Sequence, residues 1–364
     1  IAIDLKLGKL YDDKEIKDYI AKDYKKYNKQ IIDLDKKIFT EKEKTEFSIE
    51  ELKRRQYLAG LSIEDLELIL HPMAEEGKEA IGSMGDDTPA AVLSSYYRPI
   101  SHYFRQNFSQ VTNPPIDSLR ENKVMSLKTR FGNLGNILDF DNLTEDNIYV
   151  LESPILTNSQ FKKFKNIFKN KIRVIDCTFN INSQLKDRIA KIRDEAEVAV
   201  REGFNNLILS DKKINISQAS IPSVLAVGAV HSHLVKLGIR GYCSINVESS
   251  DILDTHSFAV LIGVGATTVN PYLAIESIYE RFQKKLFSNA DFETCVSKFK
   301  KSIDDGLLKI MSKMGISVIS SYRGGCNFEA VGLSRAIAAD YFPGMSSRIS
   351  GIGIVGIVKK IKDH

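Results

Sequence analysis

Cysteine is scarce in this sequence, and its few cysteines stand far apart. Cys177, Cys243, Cys295 and Cys326 form no CxxC pair, so a zinc ribbon is excluded and no disulfide framework is indicated. Long apolar runs are missing as well: none approaches the roughly 18 residues that a membrane-crossing helix needs, and no signal peptide is recognisable. These absences lead us to expect a soluble, cytoplasmic protein with no membrane partner.

A strong excess of one charge is also missing. The 51 basic and 47 acidic residues leave a formal net charge of +4, which argues against nucleic acid as a partner. Even the lysine-rich region between residues 14 and 56 carries acidic residues among its lysines. We interpret this region as a solvated, partly helical linker.

Beyond residue 147 the pattern changes to short apolar runs separated by helical stretches. The predicted strands are IYVLES, IRVIDCTF, NNLILSD, YCSINVES, ATTVNP and ISVISSY, and the predicted helices include QLKDRIAKIRDEAEVAVREG, PSVLAVGAVHSHLVKLG and SFAVLIGVG. Short buried strands that alternate with helices indicate a parallel sheet or barrel. We favour an α/β fold with a (β/α) barrel-like arrangement, incomplete or degenerate relative to a TIM barrel, over a doubly wound sheet. An irregular N-terminal portion precedes it.

Polar pairs directly follow several of the predicted strands. They are Glu152–Ser153, Ser210–Asp211, Glu248–Ser249 and Asn270–Pro271. In barrels of βα units, functional sites are built from the loops at the carboxyl ends of the strands. The sequence therefore predicts a site on the strand-end loops.

The stretch IGSMGDDTPA, residues 81–90, combines two glycines with two adjacent aspartates. Asp86 and Asp87 could bind Mg²⁺ or act as acid and base, but adjacent side chains diverge and no third acidic residue lies nearby. A helix over TPAAVLSS, capped by Thr88 and with Pro89 in its first turn, is the favoured interpretation. A P-loop is excluded, because no GK[ST] follows.

Two other local patterns carry predictions. SIEDLELIL, residues 62–70, has an apolar stripe at helical spacing, with Ser62 as its N-cap. His231 and His233 are two residues apart on a predicted helix, so their side chains point away from each other and a shared metal ion is disfavoured. We interpret them as structural histidines and predict no metal site.

Several segments together resemble the large subunit of glutamate synthase. They are HPMAEEGKEAIGSMGDDTP, QVTNPPIDSLRE, LESPILT, LILSD, AVGAVHSHLVKLGIR, VNPYLAIESI and KIMSKMGISVISSYRG with FEAVGL. They follow the family's order, and SMGDDTP and QVTNPPID are unusual strings. One departure is YRGGCNFEA, which replaces the family's usual YRGAQ-F-EA, and another is SRISGIGIVGI near the C-terminus.

The resemblance implies a central domain within a longer polypeptide. Residues 1–56 would be the tail of a preceding glutamine amidotransferase domain with a linker, residues 57–315 the central domain, and residues 316–364 the lead into an FMN-binding synthase domain. The whole enzyme would make two glutamates from glutamine, 2-oxoglutarate and a reductant, using FMN and an iron–sulfur cluster. This chain would hold no cofactor and would not be catalytic alone.

The resemblance also implies roles for particular residues. Ser83 and Met84 would lie near the 2-oxoglutarate end of an internal ammonia tunnel, Thr112 and Asn113 would line the tunnel, and Arg323 is a further candidate for substrate or tunnel contact. The partners implied are the flanking amidotransferase and synthase domains, ammonia and 2-oxoglutarate. The electron donor would be ferredoxin or an NAD(P)H-dependent small subunit.

Two alternatives stay open at this point. The domain could be a purely structural scaffold that holds two catalytic domains at a fixed distance. It could also be a free-standing barrel protein that binds its own small ligand at the strand-end loops, near Ser210, Glu248 or Asn270.

Overall fold

A computed structural model describes residues 1–22, 31–38, 42–43, 45–80, 89–108, 120–134, 148–288, 290–325 and 327–364. Strands β1 to β14 are Ala2–Asp4, Lys9–Tyr11, Ile31–Asp33, Phe104–Gln106, Thr129–Phe131, Ile148–Leu151, Ile172–Asp176, Thr178–Asn180, Asn206–Ser210, Gln218–Ser220, Ser244–Glu248, Thr268–Asn270, Phe328–Leu333 and Ser346–Ile352. Helices α1 to α14 are Asp13–Lys22, Asp35–Ile38, Ile49–Leu58, His71–Glu76, Glu121–Val124, Asn158–Ile167, Leu185–Arg201, Ser223–Lys236, Thr255–Gly263, Tyr272–Gln283, Phe292–Met314, Ile319–Tyr322, Arg335–Tyr341 and Ile354–Asp363.

The core of the molecule is a parallel sheet of four strands that pair in chain order. Strand β7 pairs with β9, β9 with β11, and β11 with β12, and helices α7, α8 and α9 connect them in turn. All residues of β9, β11 and β12 are buried, as expected for parallel strands covered on both faces. Ile155 adds a parallel bridge on the free side of β12.

The coarse fold prediction, an α/β fold built from βα units, is therefore confirmed. Within the described residues the sheet stays open, with β7 and β12 at its edges, and no closed barrel forms. Smaller sheets flank it: β14-β13-β4, β3-β6-β5, and the hairpins β1–β2 and β8–β10. No described helix is both long and apolar enough to cross a membrane.

The predicted strand ISVISSY is wrong. Only Val318 makes a strand-like bridge, to Ser126, and Ile319–Tyr322 form the short helix α12. Ile319 and Tyr322 are both buried, and a spacing of three residues puts them on one face of a helix but on opposite faces of a strand. The alternation that a strand requires is absent from the pattern of burial.

The predicted helix over TPAAVLSS is also not observed in its described part. Residues 91–93 form an isolated turn. The Lys360 Nζ on α14 donates to the carbonyls of Ala91 at 3.1 Å and Ser94 at 2.8 Å. These are the acceptors that continuing helical turns would use, so a contact from the far end of the chain replaces the helix.

The prediction for SIEDLELIL is confirmed with a change of helix type. The Asp65 N–H donates to Ser62 Oγ at 3.1 Å, and the Ser62 N–H donates to Asp65 Oδ2 at 2.8 Å, which is a reciprocal N-terminal cap. The segment then runs as a π-helix over Asp65–Leu70 into α4. It ends at Gly77, which has a φ of 70°, a left-handed conformation that suits glycine.

The predicted domain boundaries stay predictions, and the structure shows in which elements they lie. The boundary after residue 56 falls inside α3, where Gln56 is buried and donates to Ser277 Oγ at 2.9 Å. Helix α3 runs through this position without interruption. The boundary after residue 315 coincides with the end of α11 at Gly315.

Candidate functional site

The last residues of the four parallel strands form one polar row across the sheet. In the strand register, Asp176 lies opposite Ser210, Ser210 opposite Glu248, and Glu248 opposite Asn270. Because the strands are parallel, their carboxyl ends meet at one edge of the sheet. The polar pairs predicted from the sequence to lie together after β9, β11 and β12 are thus adjacent in space.

Glu248 is the centre of a buried charge cluster at this edge. Its carboxylate is 2.7 Å from Lys165 Nζ and 3.4 Å from Lys212 Nζ, and it accepts from Ser210 Oγ at 2.7 Å. Glu248 is 3% exposed. Burial alone would raise the pKa of Glu248, but the two lysines and these hydrogen bonds outweigh it and lower the pKa. We call Lys165, Ser210, Lys212 and Glu248 the rim cluster.

A second buried carboxylate, Asp211, follows directly after β9. It accepts from the Ser250 N–H at 2.9 Å and Ser250 Oγ at 2.6 Å, and from Ser220 Oγ at 3.2 Å. Burial, and then the nearby Asp251 carboxylate, raise the pKa of Asp211 to about 6. Asp211 has no close cation among the described residues, in contrast to Glu248. It is held instead by neutral donors from neighbouring loops.

The rim cluster is covered by residues 42–59, which we call the strap; Lys44 lies outside its described part. Glu46 binds Lys212 Nζ at 2.6 Å, and its N–H donates to Glu276 Oε1 at 2.9 Å. Arg55 donates to the Lys212 carbonyl at 3.0 Å and stacks on Phe47, 4.3 Å from the ring centroid. The part of the strand-end edge that holds the rim cluster is therefore covered by the chain itself, whereas a cavity of about 400 Å³ opens beside it, lined by Ser220, Ser250 and Asp251.

The strap also affects the ionisation of the residues below it. Burial raises the pKa of Glu276 to about 7, although the Glu46 N–H opposes this shift. Glu43 accepts from Thr157 Oγ1 and, at 3.0 Å, from the Ser159 N–H in the first turn of α6. These contacts make the rim-cluster part of the edge a network that holds the strap.

An open cavity lies elsewhere, beside the first turn of α9. It has a volume of about 470 Å³. Its lining includes Pro89, His102, Arg105, Gln106, Phe108 and His256. Gln106 Oε1 is buried and has no hydrogen-bond partner, whereas His256 Nε2 is 3.0 Å from the Ser101 carbonyl oxygen. The cavity therefore offers both cationic and neutral polar groups to a small polar molecule.

Four of the five predicted site residues lie outside the described residues. They are Ser83, Met84, Thr112 and Asn113, and Asp86, Asp87 and Thr88 also lie there. The described chain resumes at Pro89 after the first of these segments and stops at Phe108 before the second. Pro89 and Phe108 both line the cavity of about 470 Å³.

The fifth predicted residue, Arg323, lies at the opposite edge of the sheet. Its Nε donates to the Ala266 carbonyl at 2.9 Å, just before β12 begins. The next residue, Gly324, donates its N–H to the carbonyl of Gly263, the last residue of α9. His256 and Gly263 are seven residues apart on α9, which corresponds to about 10 Å along the helix. Arg323 is not among the described residues that line the cavity, and its proposed contact with substrate or tunnel stays a prediction.

The two histidines of α8 have different partners. His231 Nδ1 accepts from Arg240 Nε at 3.1 Å, whereas His233 Nε2 lies 2.9 Å from a Glu197 carboxylate oxygen on α7. Within the described residues no group of three or more histidine, cysteine or acidic side chains could hold a metal ion. Cys177, Cys243 and Cys295 are buried and unpaired.

Sequence reasoning missed both the strap and the lysines of the rim cluster. Lys212 follows the strand-end pair Ser210–Asp211 directly, so its position at the edge could have been inferred. The pairing of Lys212 with Glu46 joins residues 166 positions apart. Nothing in the local pattern indicates such a contact.

Comparison with known proteins gives a consistent family assignment. The family model for the glutamate synthase central domain matches residues 54–334. The chain is 56% identical to the glutamate synthase [NADPH] large chain of Azospirillum brasilense over 372 aligned residues, covering 100% of this chain and 24% of that protein. It is 39% identical to the corresponding Bacillus subtilis protein, covering 99% of this chain and 24% of that one.

Ferredoxin-dependent relatives match as well. Ferredoxin-dependent glutamate synthase 2 of Synechocystis is 35% identical, covering 99% of this chain and 24% of that protein. Among solved structures, a flavocytochrome b2 mutant with pyruvate bound has 9% identity and a TM-score of 0.40, covering 84% of this chain and 95% of that one. A score this low carries no argument about function. The chain spans about a quarter of the length of these curated relatives, and it belongs to the glutamate synthase central-domain family.

Proposed function

We propose that this chain links the glutaminase and synthase sites of a glutamate synthase and lines the path of ammonia between them. The whole enzyme would convert glutamine, 2-oxoglutarate and a reductant into two glutamates in the cytoplasm. The amidotransferase and synthase domains would be partners within the same polypeptide. FMN and an iron–sulfur cluster would be held by other parts of the enzyme.

The observation that carries the proposal is the cavity between Pro89 and Phe108. Of the segments with the most distinctive family strings, SMGDDTP ends at Pro89 and QVTNPPID begins two residues after Phe108. The lining of one space of about 470 Å³ therefore includes a described residue at or next to each segment that the resemblance assigns to the tunnel. The unpartnered Gln106 Oε1 is an acceptor to which an ammonia N–H could donate.

We infer further that the parallel sheet is part of a degenerate (β/α) barrel. Its strands follow each other in space in the order of the chain, as in a barrel, without the reversal of a doubly wound sheet. In this view the strap occupies the edge where barrel enzymes bind their ligands. The contacts between the strap and the rim cluster also favour the scaffold alternative, because they give this edge a structural role.

The proposal is tested in the full-length enzyme by bulky replacement of the tunnel residues. We expect Thr112→Trp and Asn113→Trp to lower the glutamate formed per glutamine hydrolysed by about tenfold, because a displaced path releases ammonia to solvent. Glutamate formation from added ammonium salt should persist in both variants. Lys186→Trp, at an exposed position on α7, is the matched control.

A separate variant tests the synthase end. Met84→Ala should raise the KM for 2-oxoglutarate with either glutamine or ammonium as nitrogen source, because a contact with the acceptor is lost.

An unchanged ratio of glutamate formed to glutamine hydrolysed in Thr112→Trp and Asn113→Trp would support the scaffold alternative instead. The choice of electron donor, ferredoxin or NAD(P)H, is read from the same assay by exchanging the reductant.

A further inference from the structure

Two guanidinium groups meet at the amino-terminal edge of the sheet, away from the cavity and the rim cluster. Arg240 Nη2 donates to the Gly265 carbonyl at 2.9 Å, and Arg323 Nε donates to the adjacent Ala266 carbonyl at 2.9 Å. Arg240 Nη1 also donates to the Cys243 carbonyl at 2.6 Å. The pair is therefore anchored on the backbone just before β11 and β12.

Neither guanidinium has an acidic partner in the described part of the chain. Other half-buried arginines do: Arg188 pairs with Glu195 at 2.6 Å, and Arg193 pairs with Asp340 at 3.2 Å. Burial, and then the neighbouring Arg240, lower the pKa of Arg323 to about 9. Charges removed from water are ordinarily compensated by an opposite charge. The acceptors of this pair are backbone carbonyls, the His231 ring and Thr267 Oγ1, all of them neutral, so no described residue compensates its net charge.

The third polar side chain of this edge adds no negative charge. His231 Nδ1 accepts from Arg240 Nε at 3.1 Å, which requires an unprotonated nitrogen. Burial and the two arginines lower the pKa of His231 to about 3. The ring is neutral at pH 7, and the local charge of the three side chains is that of two guanidinium groups.

Arg240 and Arg323 are partly exposed, and the following Gly324 and Gly325 are exposed and have no side chains to cover them. Gly324 has a φ of 70°, and a Cβ added to it would lie 3.1 Å from His231 Nε2. The loop thus runs close to the histidine, and its two glycines add no side chain beside the guanidinium groups.

We propose that Arg240 and Arg323 form a binding site for a small dissolved oxyanion of the carboxylate or phosphate class. The planar donor fork of arginine matches the oxygens of these anions, and the anion would supply the missing negative charge. The site lies about one length of α9 from the cavity, so it is separate from the proposed ammonia path and does not depend on it.

The test is an anion titration of thermal stability in the complete polypeptide. Phosphate and acetate are added in turn, with sodium chloride at matched ionic strength as the reference. We expect the unfolding midpoint to rise saturably by about 2–4 °C above the chloride reference. The stronger of the two responses identifies whether phosphate or carboxylate is the preferred anion.

Three variants locate the effect. Arg323→Gln should abolish the anion-specific rise and Arg323→Lys should weaken it, because lysine keeps the charge but loses the donor fork. Arg348→Gln, at a side chain that is 81% exposed, should respond like the natural chain. An equal rise in the natural chain and Arg323→Gln, or no rise beyond chloride in the natural chain, overturns the proposal. If Arg323→Gln does not fold, Arg323→Lys is the test: an anion-specific rise as large as that of the natural chain overturns the proposal. The measured quantity is the unfolding midpoint, and glutamate synthesis is not measured.

Discussion

At the carboxyl edge of the parallel sheet Glu248 lies between Lys165 and Lys212, whereas at the amino edge Arg240 and Arg323 have backbone carbonyls as acceptors. The first edge is electrically balanced and covered by the strap. The second edge carries two cations without a carboxylate among the described residues and stays partly open. In parallel barrels the carboxyl edge is where ligands bind. Here the part of that edge around Glu248 holds the strap, and among the described residues the two arginines of the amino edge have no carboxylate partner.

The amino edge should be the more sensitive of the two to backbone change. Gly265 has a φ of 128°, and a Cβ added to it would lie 2.3 Å from His231 Nδ1. We expect Gly265→Ala to lower the free energy of unfolding by about 4 kcal/mol, because backbone strain and overpacking add. Urea denaturation measures the loss. Gly238→Ala, which has a φ of 71° and no atom within 4 Å of the new Cβ, is the control, with about 1 kcal/mol expected.

The carboxyl edge should respond most to loss of its central carboxylate. Glu248→Ala leaves Lys165 and Lys212 without their shared buried partner, and we expect the free energy of unfolding to fall by about 3 kcal/mol. Both lysines are partly exposed, which limits the loss. The matched control is Glu202→Ala, which removes an exposed pair with Arg173 and should change stability by about 0.5 kcal/mol. Equal losses in the two variants would show that the rim cluster is not a buried network.

The smallest effect concerns pH at the contact between strap and sheet. The folded-state pKa of Glu276 is raised to about 7, so its contribution to stability is fully present below about pH 4.5 and is lost as the pH rises through 7. Glu276→Gln keeps an acceptor for the Glu46 N–H and cannot ionise. We expect the variant to be more stable than the natural chain at pH 7.5, by about 1–2 kcal/mol, and to lose that advantage below pH 4.5.

Urea denaturation at several pH values measures this difference. Glu248 has the opposite shift, a lowered pKa, so its contribution to stability is lost as the pH falls below about 4.5. Glu248 is present in both the variant and the natural chain, so this loss cancels when the two are compared at one pH. A difference that is constant from pH 4 to 8 would contradict a raised pKa at Glu276.

Short-range patterns account for the parts of the fold that were predicted correctly. The apolar pattern and the length of each run in the local sequence predict the elements of the parallel sheet and its connecting helices. These are strands β7, β9, β11 and β12 and helices α7, α8 and α9. Because parallel strands place their carboxyl ends at one edge, the proximity of Ser210, Glu248 and Asn270 could also be inferred. The cap at Ser62 needs only residues three apart.

The errors arise where a distant contact overrides a local preference. The turn over residues 91–93 replaces a predicted helix because Lys360 takes its carbonyls from 269 positions away. Residues 42–56 of the strap were interpreted as part of a linker, and that interpretation stays a prediction; its contact from Gln56 Nε2 to Glu280 Oε2 spans 224 positions. Local propensity is a weak prior, and tertiary contacts override it.

By itself the sequence determined the family of this protein, the order of its βα units and the polar character of the strand ends, because all three are written in contiguous residues. Only the tertiary structure decided that the strap covers the rim cluster at one edge of the sheet and that two arginines come together at the other. That decision depends on pairs such as Glu46 with Lys212 and on the meeting of Arg240 with Arg323. Such pairs form only when folding brings distant segments together, since the stabilisation comes from burial and charge compensation that neither segment has alone.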